Sequence, residues 1–277
     1  MAEISAAVVK ALRERTGLPM MDCKKALHEC QGDAEAAIRW LRERGAQLIV
    51  KRGDRETTFG RFGVYASFSP GVGAIVELKC ESAPVTQNEE FIQLANDLAR
   101  QLATGPGAET ADQLLDQPSP SKAGMTLREQ KDDLFNRVRE VFNVRRMKRI
   151  GGACGAYCHN AATVSGVLLH VEGGTPEAAK DVCMHIAAMR PAALRREELD
   201  PAEVEKERAI LREAAFKEGK PANIVEKMIE GRLRNFFAEK VLTEQPFVKG
   251  DKETVGQFAK KHGMQVKEFV HWELGKA

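Results

Sequence analysis

Four stretches of this 277-residue chain hold side-chain types that could do chemistry. Cys154-x3-Cys158-His159 has the ligand types of a zinc site. Its spacing argues against one. In a strand, Cys154 and Cys158 share a face while His159 points to the other. The two thiols would stand ~13 Å apart at ~3.3 Å per residue, too far to share an ion. His159 then reads as an outward-facing residue at a strand end. Cys80 beside Glu81 pairs a nucleophile type with a base type, yet no His can be placed against it from spacing, and buried structural Cys is the commoner case. Gly71-Val72-Gly73 is a turn, because no strand-linked G-x-G-x-x-G and no G-x-x-x-x-G-K-[ST] surrounds it. Arg145-Arg146-Met147-Lys148-Arg149 carries no aromatics and reads as a solvated strand edge rather than an RNA site. Nothing here assembles into an active site. Neither an enzyme, nor a cofactor, nor a bound metal is expected.

The elements that must position these residues centre on Ala74 to Ala103. A β-rich run (Ala74 to Cys80) enters a turn (Glu81 to Gln87) and then a helix from Asn88 to Ala103. Asn88 can cap that helix, and Glu89 and Glu90 sit at its positive end. Phe91, Leu94, Leu98 and Leu102 recur at helical spacing. The turn Ser82-Ala83-Pro84-Val85 is therefore held at both ends, and Pro84 limits its freedom. A stiff, partly apolar tip of this kind suits contact with a partner better than chemistry.

Upstream, residues 1 to about 45 read as three short helices. The first carries Val8, Val9 and Leu12, the second runs from Asp22 to Cys30, and Asp33 caps the third, which Gly45 ends. So small a core suits a docking module. At least one of Met20 and Met21 is expected in the core; the alternative is that the pair makes an adaptable apolar contact. Residues 46 to 57 read as a linker. Strand-like runs Thr58 to Phe68 and Val72 to Cys80 flank the turn Ser69-Pro70-Gly71. Residues 104 to 126 are Gly/Pro/Ser-rich and read as a surface excursion. Leu127 to Val141 reads as a charged amphipathic helix.

Residues 143 to 190 repeat the earlier unit. Gly155-Ala156-Tyr157 echoes Gly63-Val64-Tyr65, and Gly166 to Val171 echoes Gly73 to Leu78. Lys180 to Ala187 echoes Asn96 to Ala103. The offset is 92 in the first strand and 84 in the helix, because the second copy has a shorter turn. Two related sheet-plus-helix subdomains follow from this. Asp200-Pro201 opens a long helix to about Lys217. Gly219-Lys220-Pro221 turns the chain, and a second helix runs from Ala222 to about Val241. Its stripe is Ile224, Met228, Ile229, Leu233, Phe236 and Phe237. Two arms of this length would project roughly 27 Å and leave apolar surface for self-association, as a homodimer, or for a partner. A short helix (Thr254 to His262) and a strand (Gln265 to Leu274) close the chain, with Val266, Glu268, Val270 and Trp272 on one face.

Composition bounds the function classes. Lys and Arg number 42 against 40 Asp and Glu, a net charge of +2, so nothing global points to nucleic acid or an anionic membrane. No run of about 18 apolar residues appears, and the start Met-Ala-Glu-Ile-Ser lacks a signal or transit pattern. The six cysteines fit free thiols in a reducing cytoplasm.

Three runs carry a resemblance. Leu12 to Leu27 (L-R-E-R-T-G-L-P-M-M-D-C-K-K-A-L) resembles the opening signature of the bacterial elongation factor Ts family. V-E-L-K-C-E-S-A-P-V-T-Q-N-E-E-F resembles its second signature. G-K-P-A-N-I-V-E-K-M-I-E-G-R-L, with L-T-E-Q-P-F-V and T-V-G-Q, resembles its C-terminal one. The matches run in family order from Met1 to about Leu274. The resemblance implies an α+β chain. A ubiquitin-associated-like three-helix module and linker would take residues 1–54, and related α/β subdomains with small antiparallel sheets 55–142 and 143–199. An inserted antiparallel coiled coil would take 200–241, and the closing part of the second subdomain 242–277. It implies a cytoplasmic exchange factor that grips the GTPase elongation factor Tu and favours its nucleotide-free form. The implied contacts are Arg13, Met20 and Met21 on the helical module, the turn Ser82, Ala83, Pro84 and Val85, and His159 on the second subdomain. The family's turn carries an Asp-Phe pair where this chain has Ala83-Pro84, so Pro84 and Val85 are expected to form a smaller apolar wedge. A non-exchanging partner of the same GTPase is the alternative. The chain also ends at Ala277, without the terminal helical extension of some longer family members.

Overall fold

Helix boundaries follow local capping chemistry. In this computed structural model, which describes residues 4–160, 163–217, 222–250 and 252–276, helix α1 spans Ala6–Thr16. The Ser5 hydroxyl accepts from the Val8 amide at its start, and Gly17 ends it at φ +67°, a conformation glycine takes without strain. Helix α2 is Met20–Glu29. The carboxylate of Asp33 accepts from the Glu35 and Ala36 amides and opens α3, Ala34–Arg52. Val9, Leu12, Cys23, Ala26, Leu27, Ala37 and Leu41 form the core of these three helices. Gly45 does not end α3, and seven residues read as linker are helical. A Cβ at Gly45 would lie 2.2 Å from the Asn136 side chain, so this glycine permits a close helix crossing rather than a helix end.

A three-stranded sheet of order β1-β2-β3 follows, with β1 Phe59–Ser67, β2 Val72–Cys80 and β3 Asn143–Gly151. The central β2 is buried almost throughout. Strand β3 belongs to this sheet, so a subdomain boundary at residue 142 cuts it off from its partners. Its basic run is only partly solvated, because Arg146 reaches the buried Glu77 carboxylate at 2.6 Å. Helix α4, Glu89–Thr104, starts at the Asn88 cap and buries Phe91, Leu94, Leu98 and Leu102.

The stretch after α4 is a folded cover rather than an excursion. Helix α5, Ala111–Leu115, has a reciprocal Thr110–Gln113 capping box and buries Leu114 and Leu115. The buried Asp97 of α4 accepts from Gln93, Ser121 and Gln130, which ties the loop down. Helix α6, Leu127–Val138, stops three residues short of the expected end, at Arg139 in the left-handed region (φ +67°).

The second sheet has order β4-β5-β6: β4 Ala153–Asn160, β5 Val164–Gly173 and β6 Met264–Glu273, antiparallel at both junctions. Helix α7, Pro176–Met189, covers it. The repeat seen in the sequence has a packing basis. A Cβ at Gly63 in β1 would lie 1.8 Å from the Ala95 carbonyl oxygen of α4. A Cβ at Gly155 in β4 would lie 2.8 Å from Ala179 Cβ of α7. Gly155 follows Gly63 by 92 residues, and Ala179 follows Ala95 by 84. In each copy a bare strand position lets the helix backbone sit down on the sheet.

In β6 the expected face of Val266, Glu268, Val270 and Trp272 is interrupted. The register slips between His170 and Val171, which pair with Glu268 and Val266, so Lys267 is the extra residue of a β-bulge. Met264 and Val266 enter the core from one parity, and Phe269 packs on it from the other.

Helices α8, Pro201–Lys217, and α9, Ala222–Lys240, lie between α7 and the closing helix α10, Val255–Lys261. Ala215 of α8 clusters with Val225, Ile229 and Leu233 of α9. Val204, near the start of α8, clusters with Phe236 and Phe237, near the end of α9, so the two run antiparallel. The intervening turn Gly219-Lys220-Pro221 and the Ile224 side chain lie outside the described residues. The chain divides into two compact units, residues 1–63 with 76–147, and residues 64–75 with 148–276. Among the described residues no helix is long and apolar enough to cross a membrane.

Candidate partner interface

In the first unit, α2 starts directly on Met20 and Met21. The expectation that one of them is core fails: Met20 is 48% and Met21 72% exposed. The core positions of α2 fall at Cys23, Ala26 and Leu27, which turns Met21 to the opposite side; Met20 shares their side of the helix but is its first residue and lies outside the module's core. Two flexible, apolar thioethers thus stand side by side in water. Arg13, on α1, is also exposed.

The turn after β2 is built from both ends. The Ser82 amide donates to Glu140 Oε2 at 3.0 Å, and its hydroxyl donates to Glu140 Oε1. Glu81 accepts from the Val141 amide at 2.8 Å and from Arg55 at 3.1 Å. Beyond the tip, Pro84–Gln87 form a 3-10 turn. The Arg61 guanidinium donates to the Thr86 carbonyl at 2.9 Å, and the Thr86 hydroxyl to the Ala83 carbonyl at 2.7 Å. Ala83 and Pro84 are exposed on this frame. Val85 is only 8% exposed. Val85 is therefore not part of the exposed tip expected at Pro84-Val85: the 3-10 turn rotates it inward, and Ala83 and Pro84 are the residues left exposed.

Cys80, at the root of the turn, donates to the Ser82 carbonyl at 3.3 Å. Burial, with the Glu140 carboxylate adding to it, pushes its thiol up to about 12. It is a protonated structural thiol, not a nucleophile. Burial likewise raises Cys154 to about 11. No disulfide joins any of the six cysteines, and no group of three His, Cys, Asp or Glu among the described residues is placed to hold a metal ion.

The structure adds two residues that sequence reading passed over. Helix α6 ends at Arg139, whose carbonyl accepts from Arg52 at 2.8 Å and whose guanidinium pairs with Asp22, the residue after Met21. The next residue, Glu140, holds Ser82. A glycine at 139 would have signalled the helix end; an arginine in a left-handed cap carries no such signal.

In the second unit, His159 is exposed near the end of β4, opposite Ser165 of β5. It shares the parity of Gly155 and Tyr157, the face that α7 covers, so its exposure comes from lying at the strand end and not from the outer face. The Tyr157 hydroxyl is 3.3 Å from His159 Nδ1. The structure thus places Arg13, Met20, Met21, Ala83 and Pro84 on exposed surface of one unit and His159 on the other.

Comparison with known proteins decides the family. A family model described as elongation factor TS matches residues 81–276. The chain belongs to the elongation factor Ts family. It is 42% identical over 288 residues to the elongation factor Ts of Hyphomonas neptunium, covering all of this chain and 93% of that protein. It is 39% identical over 277 residues to that of Thioalkalivibrio sulfidiphilus, covering 99% and 92%. Membership makes the chain a translation elongation factor.

Proposed function

We propose that this family member binds elongation factor Tu carrying GDP and promotes GDP release, so that GTP can load. No covalent chemistry is needed. A protein that binds the empty GTPase more tightly than the GDP form must weaken GDP by the same factor. The observation that carries the reading is the pairing of an exposed Met20-Met21 surface with a rigid, exposed Ala83-Pro84 tip on the same unit. A rigid tip can act on a nucleotide site because little of its binding energy is spent on ordering itself. His159 supplies a polar contact from the second unit. The three-helix module is read as ubiquitin-associated-like and the α8–α9 pair as a coiled coil. That pair exposes Ile210 and Phe216 for a partner or a second copy.

One observation favours a second reading. Ala83 carries no carboxylate and Pro84 no aromatic ring, so the tip buries less surface than an Asp-Phe pair would. A factor that holds its GTPase without displacing nucleotide follows from that. Release of a fluorescent GDP analogue from elongation factor Tu, with and without this protein, separates the two. Acceleration supports exchange, and tight binding without acceleration supports the holding factor.

A further inference from the structure

Two consecutive residues join the two exposed surfaces of the first unit. Arg139 pairs with Asp22, which continues α2 from Met20 and Met21. Glu140 takes both the amide and the hydroxyl of Ser82, which carries Ala83 and Pro84. The peptide between them has little freedom. The Arg139 amide donates to the Phe135 carbonyl at 2.6 Å, its carbonyl accepts from Arg52 on α3, and the Val141 amide donates to Glu81. Just upstream, Arg137 donates from Nη1 to both oxygens of Glu90 at 2.6 and 2.7 Å, and its stem lies against Gly17. The three-helix module and the tip are thus both fastened to residues 137–141.

We infer that Arg139 and Glu140 are positioning residues that hold the methionine pair and the Ala83-Pro84 tip in one fixed register, so that both surfaces meet a partner as a single rigid body. Neither residue needs to touch the partner. Arg139 stands in a left-handed conformation that disfavours a side chain, and its side chain is only 23% exposed while that of Asp22 is 26% exposed. A partly desolvated, charge-assisted pair fixes geometry better than an exposed one. The consequence for nucleotide release rests on the exchange-factor reading; the geometric part does not.

The test labels the free protein at Lys25→Cys on α2 and Gln87→Cys beyond the tip, with Cys30→Ser and Cys158→Ser removing the partly exposed thiols. Spin-label distances are expected to be narrowly distributed in this background. Arg139→Gly, which suits the backbone, and Asp22→Arg are each expected to broaden them. Arg139→Asp combined with Asp22→Arg is expected to restore a narrow distribution, because Asp tolerates the left-handed region. Circular dichroism checks that each variant is folded. A distribution as narrow in Arg139→Gly as in the parent overturns the inference. For release of the GDP analogue, Arg139→Gly is expected to lower the saturating rate roughly tenfold, within the usual range of coupling energies, and the swap to recover it. Broadened distances with an unchanged saturating rate would also overturn it. If the parent protein fails to accelerate release, the exchange reading fails, and the distance measurement alone decides the positioning role.

Discussion

Asp22 and Arg139 stand 117 residues apart in the chain and form an ion pair that fastens α2 to the end of α6. Two opposing effects meet at Arg139. Losing a partly buried charged hydrogen bond costs about 1.5–3 kcal/mol, while a side chain at φ +67° costs about 1–2 kcal/mol that glycine avoids. Arg139→Ala keeps the strain and loses the pair, so it is expected to destabilise by about 2 kcal/mol. Arg139→Gly is expected to lose roughly 1 kcal/mol less, since relief of the backbone offsets part of the pair. Urea unfolding of both variants measures the difference. Equal losses would remove the backbone contribution, and an unaffected Arg139→Ala would remove the pair.

The two bare strand positions predict different outcomes for one substitution. Gly63→Ala places a methyl on the Ala95 carbonyl oxygen, which cannot move without shifting α4. The expected loss is about 3 kcal/mol or more, at the upper end for overpacking. Gly155→Ala meets a side-chain methyl first, at Ala179, with backbone atoms at 3.1 and 3.3 Å behind it. Its loss is expected to be smaller, about 1–3 kcal/mol. Adding Ala179→Gly should recover part of that, less the cost of about 1 kcal/mol for glycine in a helix. Adding Ala95→Gly to Gly63→Ala should recover nothing. Thermal denaturation of the four variants gives the comparison; rescue at both sites would mean that the packing of Gly63 is misassigned.

Those glycines also show what was legible beforehand. The repeat was visible because packing demands left the same residue types at matching offsets, and the strands and helices of both copies were visible from their periodicity. Asn88, Asp33 and Thr254 marked helix starts because their side chains bond the first-turn amides. Readings failed where a tertiary contact reassigns a local signal. Gly45 signals a helix end in isolation but serves a crossing against Asn136, and Arg139 ends a helix with no local signal at all. The outward turn of Met20 and Met21 and the inward turn of Val85 depend on which neighbours exist, and residue type alone does not say. The bulge at Lys267 reverses a face that alternation would have continued.

The turn below the tip carries a pH-dependent contribution of definite sign. Burial raises the Cys80 thiol to about 12 from an ordinary value near 9.0, so the folded chain holds this proton more tightly than the unfolded chain. Its stabilising contribution is complete below about pH 9 and is lost as pH rises from there towards 12. Alkylation of the folded protein at pH 8 is expected to mark Cys30 and Cys158 first, with Cys80 protected until unfolding. Peptide mass mapping over time reads this directly. Early labelling of Cys80 would mean that the thiol is accessible and ionised, and would revive a nucleophilic role for it.

His185, fully buried in α7, predicts the acid limb. Its Nε2 lies 2.9 Å from Gln245 Oε1, and the Val248 amide donates to Nδ1 at 3.3 Å. An imidazole that accepts at Nδ1 must donate from Nε2, so the fold holds the neutral tautomer. Burial lowers its pKa from the ordinary 6.5, against the smaller raising effect of Gln245. The unfolded chain therefore binds the proton more readily, and the contribution to stability, full above about pH 6.5, falls away as pH drops below it. Gln245 also donates to the Glu239 carbonyl at 2.8 Å and to the Met189 carbonyl at 3.3 Å, so the ring anchors the return of the chain after α9. His185→Leu leaves the buried Gln245 oxygen unpaired, and a loss of about 1–3 kcal/mol is expected, since Val248 is exposed and its amide can bond to water instead. The variant's unfolding temperature should also fall less between pH 7 and pH 5 than that of the parent. A parent and variant with parallel pH profiles would show that His185 titrates alike in both states and that the acid limb belongs to other groups.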